Sequence, residues 1–195
     1  MNWSSKDNCL RRNNSSTVPH KPLNQPAKKP ISIQKKNIDL SIIDERSAKN
    51  VSTLNIKVQE IFRNWIAECQ ILAKTFGFEY KAISGNRTFE EQAKLYAQGR
   101  SSSGKIVTNA KPGFSNHNFG IAVDMGVFRN GKYLDELNPS DAESFHRKAA
   151  QIGEKYNIEW GGNWKTFKDY PHFEYKTGKT LAQLRQLINE NKDII

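Results

Sequence analysis

Two short segments far apart in the chain carry most of its metal-binding chemistry, and any fold this sequence adopts has to bring them together. The first is Gly113-Phe-Ser-Asn-His-Asn-Phe-Gly-Ile-Ala-Val-Asp124 and the second is Asp169-Tyr-Pro-His-Phe-Glu174. Zinc in hydrolases is commonly held by three His or carboxylate ligands, with the fourth position left to water. His117, Asp124 and His172 supply such a set. The first two are too far apart for one helical turn, and Gly120-Ile-Ala-Val reads as the beginning of a strand. The spacing therefore predicts His117 at the end of a loop and Asp124 on that strand. Pro171, between Asp169 and His172, excludes regular helix and predicts a sharp turn. A strand should follow, with His172 and Glu174 on one face. Such a turn aims Asp169 at the water of the site.

Taken singly, each of these residues has a plainer reading as a surface or core side chain. Their combination is more specific. Ser115, His117, Gly120 and Asp124 stand in the order Ser-x-His-x-x-Gly-x-x-x-Asp. Trp160-Gly-Gly-Asn-Trp164 followed by Asp169-Tyr-Pro-His172 forms a second motif, and Ser84-Gly-Asn-Arg87-Thr-Phe-Glu-Glu-Gln92 a third. Together these resemble the zinc peptidases that cut peptidoglycan stem peptides: D-alanyl-D-alanine carboxypeptidases and L-alanyl-D-glutamate endopeptidases, whose fold is shared with the hedgehog domain. The resemblance covers roughly residues 39 to 175 and is nearest to the endopeptidase branch that includes phage endolysins. It implies an α+β fold, a small antiparallel sheet with helices packed against it. It also implies a zinc ion on His117, Asp124 and His172.

The chemistry implied is metal-assisted amide hydrolysis, with Asp169 as general base and Arg87 beside the oxyanion or a substrate carboxylate. Glu174, two residues after a ligand, is the second candidate base, but is better placed to hold a histidine or a substrate amine. Ser115 is expected to hydrogen-bond substrate, and Trp164 or Trp160 to wall the cleft. The bond expected to be cut joins L-alanine to D-glutamate. The alternative is removal of a terminal D-alanine. A reading of another class is a non-catalytic cell-wall-binding zinc module, against which the presence of Asp169 and Arg87 argues.

Charge enters through the partners it allows. The 195 residues carry a formal net charge of +10, which favours anionic polymers or surfaces. Residues 1–36 hold four prolines and eight lysines and arginines against the single Asp7. They read as a disordered basic arm, a solvated extension or a tether to an anionic wall polymer or membrane surface, preceding a peptidase domain over 37–195. No DNA or RNA motif accompanies that charge, so no specific nucleic acid partner is expected, and the protein is expected to be a monomer. Cys9 and Cys69 stand alone, which indicates no disulfide framework. The N-terminus lacks the apolar core of a signal peptide. Action at the cell wall would then need another route out, as for a phage lysin released through a permeabilised membrane.

Along the rest of the chain, Asp44-Glu-Arg-Ser-Ala-Lys-Asn50 reads as an opening turn. Apolar residues from Val58 to Phe76 recur at three and four, which predicts a helix with one buried face that ends at Gly77. Phe78 to Ser84 reads as a strand, and Thr88-x-x-Glu91 as a capping box that starts a short helix. Residues 100 to 112 should be a flexible loop beside the cleft. Ser140-x-x-Glu143 is expected to cap a helix running to about Tyr156, within which His146 is structural or solvent-facing. Short strands at Ile158–Trp160 and His172–Tyr175 and an amphipathic helix from Thr180 complete the chain.

Overall fold

Alternate residues of one strand, Val123, Met125 and Val127, are fully buried, and around that strand the architecture is built. The computed structural model describes residues 38–195, so the basic arm expected over residues 1–36 and Cys9 lie outside the described residues. Strand β1 (Glu79–Ser84) pairs antiparallel with β2 (Ala122–Arg129), and β3 (Lys132–Tyr133) folds back on the end of β2 through Asn130-Gly131. β5 (His172–Tyr175) lies on the other side of β2, and β4 (Ile158–Trp160) lies beyond it, giving the order β1-β2-β5-β4. Side chains alternate between the faces of a sheet. Tyr80, Ala82, Val123, Met125, Val127, Phe173, Ile158 and Trp160 all enter the core on one face. Asp124, Gly126, His172, Glu174 and Glu159 are left for the other.

The core face is covered by α2 (Ile56–Thr75), whose Val58, Phe62, Trp65, Ile66 and Cys69 are all fully buried. Trp65 is the keystone of this contact. Its ring lies 5.9 Å from Phe62, 6.4 Å from Tyr80 and 4.7 Å from Phe173. Its indole N–H donates to the Ala149 carbonyl at 3.0 Å, so the one polar atom of a large apolar side chain is satisfied where water cannot reach it. Cys69 is a core residue as expected, and burial pushes its thiol pKa well up. Among the described residues, no helix is long and apolar enough to cross a membrane.

The expected α+β class is the one observed, with differences in detail. Asp44 to Asn50 is more than a turn: α1 (Glu45–Ser52) is a helix capped by the Asp44 carboxylate, which accepts from Ser47 N at 3.0 Å. The buried Ser47 hydroxyl in turn accepts from Ala82 N at 2.9 Å, docking α1 on β1. α3 (Phe89–Ala97) starts at the Thr88–Glu91 capping box. The short α4 (Leu134–Leu137) leads directly into α5 (Pro139–Gly153), whose cap is Asn138 instead of Ser140. Proline suits the first helical position, because its φ is already helical and an N–H there has no partner to lose. That moves the cap one residue before it.

A 3₁₀ turn, Glu154–Tyr156, carries the chain on to β4. His146, within α5, is fully buried and structural, held by Tyr80 Oη at 3.0 Å and Asp135 at 2.6 Å. Asp135 also accepts from Val127 N at 2.9 Å, so a buried polar chain ties α5 to the sheet. α6 (Leu181–Asn189) begins at a Thr180–Gln183 capping box. Its Leu184 forms a second apolar cluster with Phe119, Ile121 and Ile194.

Candidate metal centre

Asp124 and His172 are brought together by strand register. They are direct partners across β2 and β5. Met125 N donates to the Pro171 carbonyl at 2.8 Å, which makes Asp124 and His172 a non-hydrogen-bonded pair, the kind whose side chains stand closest. Both are on the face away from α2. The sharp turn expected at Pro171 is present, with His172 N donating to the Asp169 carbonyl at 3.3 Å.

His117 arrives from a 3₁₀ turn, Asn116–Phe119, where a loop end was expected, and β2 begins at Ala122, two residues later than the apolar run suggested. Gly120 ends this turn with φ of 64°, in the left-handed region. A Cβ there would meet Asn55 N at 2.7 Å, so both conformation and space demand glycine. Phe119 and Ile121 anchor the turn in the cluster built on α6.

The outer hydrogen bonds of the imidazoles decide where their lone pairs point. His117 Nδ1–H donates to the Gly85 carbonyl at 2.8 Å, and His172 Nε2–H donates to Glu174 at 2.8 Å. This leaves His117 Nε2 and His172 Nδ1 facing one another at 3.2 Å. Asp124 Oδ1 lies 3.1 Å from the first and 3.3 Å from the second. A tetrahedral ion with bonds of about 2.0–2.1 Å needs ligand atoms about 3.3 Å apart. The three donors fit that requirement in distance and in chemistry: two imidazole nitrogens and a carboxylate, each imidazole oriented by a hydrogen bond from behind.

Electrostatics agree with the geometry. Burial opposes the Asp124 charge, but His117 and His172 hold its carboxyl well below the usual range. Burial likewise opposes a charged His172, yet Asp124 and Glu174 outweigh it and raise the imidazolium pKa to about 10. The cluster calls for positive charge, and a metal ion entering it must displace a proton.

Around this centre lies a cleft of about 750 Å³ whose lining includes Arg87, Ser115, Trp164, Asp169 and Glu174. Arg87 follows a bulge in β1 between Ala82 and Ser84, the kind of irregularity that re-aims a strand end. Its guanidinium stands 3.6 Å from Asp124 Oδ2 and donates to Gln92 at 3.0 Å. The cation is thus held against the Asp124 carboxylate while still lining the cleft. Burial raises the Asp169 pKa, and the charge of Asp124 raises it further. Gly161 permits this placement, since a Cβ there would lie 2.5 Å from the Asp169 carbonyl oxygen.

The Trp164 ring lies 5.0 Å from His172, whereas Trp160 is buried in the core with its N–H on the Tyr170 carbonyl. Of the two tryptophans weighed as cleft walls, only Trp164 lines it. Ser115 lines the cleft too, and makes no capping hydrogen bond to the turn that follows it.

Two contributors had no role assigned from sequence. Asn116 donates to Glu174 at 2.6 Å, fixing the carboxylate that orients His172. Gln92 links Arg87 to the loop, donating to the Ala110 carbonyl at 2.7 Å. Gln92 lay inside a quoted motif and Asn116 beside a ligand, and that adjacency was the only available signal. The loop expected to be flexible over residues 100–112 is pinned by Gln92 and by Arg100, which donates to the Thr108 carbonyl and Asn109, both at 3.0 Å.

Residues 108–175, which hold all three candidate ligands and Asp169, match the family described as D-alanyl-D-alanine carboxypeptidase. The match spans about a third of the chain. The chain is also 38% identical over 102 residues to the peptidoglycan L-alanyl-D-glutamate endopeptidase CwlK of Bacillus subtilis (strain 168). That alignment covers 50% of this chain and 61% of the relative, so the chain spans less than two thirds of the curated protein it matches.

Among solved structures, the L-Ala D-Glu endopeptidase ChiX of Serratia marcescens aligns with a TM-score of 0.44 and 23% identity, over 67% of this chain and 86% of that one. The vancomycin-resistance D,D-pentapeptidase VanY, in complex with Zn(II), aligns with a TM-score of 0.43 and 14% identity, over 72% and 81%.

Proposed function

We propose that this chain is a zinc peptidase that hydrolyses peptidoglycan stem peptides between L-alanine and D-glutamate. The observation that carries the reading is the triangle of His117 Nε2, Asp124 Oδ1 and His172 Nδ1, with edges of 3.1 to 3.3 Å. Those three residues would hold the zinc, which when bound lowers the pKa of water and polarises a carbonyl. The choice of bond is supported by the 38% identity to an L-alanyl-D-glutamate endopeptidase.

The protein's own groups supply the rest. Asp169 takes the proton of the attacking water and passes it to the leaving amine. A carboxyl whose pKa is raised by burial is better matched to that task near neutral pH. Arg87 offsets the charge of Asp124 and offers a fixed cation to a substrate carboxylate or developing oxyanion. Glu174 and Asn116 keep His172 in the tautomer that turns Nδ1 inward. Trp164 and Ser115 border the substrate path.

The second reading, D-alanyl-D-alanine carboxypeptidase, is favoured by the description of the matched family. Mass spectrometry of purified peptidoglycan treated with the zinc-loaded protein separates the two. New D-glutamate amino termini, with alanine left on the muramyl lactyl group, are expected. Release of free D-alanine without those termini would establish the carboxypeptidase. Action at the cell wall follows from either substrate.

A further inference from the structure

The open face of the sheet continues past the metal ligands. Glu159 on β4 stands directly opposite Glu174 in the strand register. Its neighbours Ile158 and Trp160 are in the core, so Glu159 shares the face of His172 and Glu174. Two carboxylates directly opposed repel one another. Glu174 is relieved by His172 and Asn116. The Glu159 carboxylate is partly buried and has no side-chain hydrogen bond or ion pair among the described residues. It lines a pocket of about 260 Å³ that shares Asn116 and Glu174 with the catalytic cleft and is bordered by Lys176 and Lys179.

We infer that Glu159 is a specificity-determining residue, receiving the side-chain ammonium of the diamino acid at the third position of a stem peptide. This deepens the peptidase reading and rests on it. Glu159 is level with Glu174 and Ala122, so Asp124 lies two strand spacings across and two residues along the sheet, which at about 4.8 Å per strand and 3.3 Å per residue places them roughly 12 Å apart. On the alanine side of the proposed scissile bond there is a lactyl ether and a sugar, with no ammonium. On the D-glutamate side, the next residue is the diamino acid. One residue of about 3.3–3.6 Å, lengthened by the side-chain linkage of D-glutamate and by the diamino side chain itself, covers that span. Lys176 and Lys179 add positive charge at the pocket's border, so a group carrying a carboxylate beside its ammonium, as diaminopimelate does, meets both signs there.

The test uses the full zinc-loaded chain and three peptides, L-alanyl-γ-D-glutamyl-X with X as diaminopimelate, lysine or norleucine. The wild-type protein should cleave both cationic peptides with kcat/KM about tenfold above the norleucine peptide, the worth of one charge-assisted hydrogen bond. Glu159→Gln should bring the three within about twofold of one another, acting through KM and leaving the norleucine rate unchanged. A wild-type enzyme indifferent to X, or a Glu159→Gln enzyme that keeps the preference, would overturn the assignment. Failure of the wild type to cut any of the three would remove the L-alanyl-D-glutamate endopeptidase reading, and this one with it.

Discussion

At the scale of single residues, the site works by fixing which atom of each side chain faces inward. Asp124 divides its two oxygens, Oδ1 toward the histidines and Oδ2 toward Arg87. His172 is held between two carboxylates that raise its pKa to about 10, so near neutral pH it carries a proton that a metal ion must expel. Zinc binding should release about one proton, and affinity should rise as pH increases toward that value. Calorimetric titration of chelator-treated protein in buffers of different ionisation enthalpy measures this directly, and a heat independent of buffer would contradict it. Asp169 touches none of the ligand atoms by hydrogen bond. Asp169→Ala should therefore keep zinc content while lowering kcat about 10²–10⁴-fold, the usual worth of a general base. Wild-type turnover in that variant would transfer the role to Glu174.

At the scale of elements, what the sequence made legible was local. The Thr88–Glu91 capping box, the glycine after α2 and the proline-forced turn before His172 each depend on a few neighbouring residues, and each is present. The cap of α5 was misplaced because Ser140 and Asn138 both fit a local pattern, and only Pro139 distinguishes them. The pairing of Asp124 with His172 is different in kind, since register between distant strands is set by the whole core and not by either segment. Candidate ligands could be picked from sequence, but their separation could not. The 3₁₀ turn that carries His117 depends on Gly120 at φ 64°. Gly120→Ala should cost about 1–3 kcal/mol of stability through strain at that position. It should also weaken zinc binding by shifting His117, and thermal melts with and without zinc would register both effects. Unchanged zinc affinity in a folded variant would show that the turn does not position the ligand.

At the scale of the molecule, the two faces of the sheet have separate duties. The core face, centred on Trp65, supplies most of the stability, so Trp65→Ala should cost about 3–5 kcal/mol. Phe167, which borders the cleft and is 63% exposed, should change stability by less than about 0.5 kcal/mol when replaced by alanine. Denaturant midpoints for the two variants give the comparison, and equal losses would mean that the cleft wall is part of the core. His117→Ala should abolish zinc binding while leaving the core face intact, since that residue packs on the opposite side. Full zinc content in the folded variant would refute the ligand assignment.

The floor of the cleft is made of paired strands, and its sides are made of connecting segments: residues 105–110, joined to the body by hydrogen bonds from Gln92 and Arg100, and residues 164–168, joined through Trp164 N on the Gly161 carbonyl. Insertions, deletions or exchanges in those sides can reshape what is admitted without moving His117, Asp124 and His172. A scaffold divided in this way can change its diet while keeping its teeth.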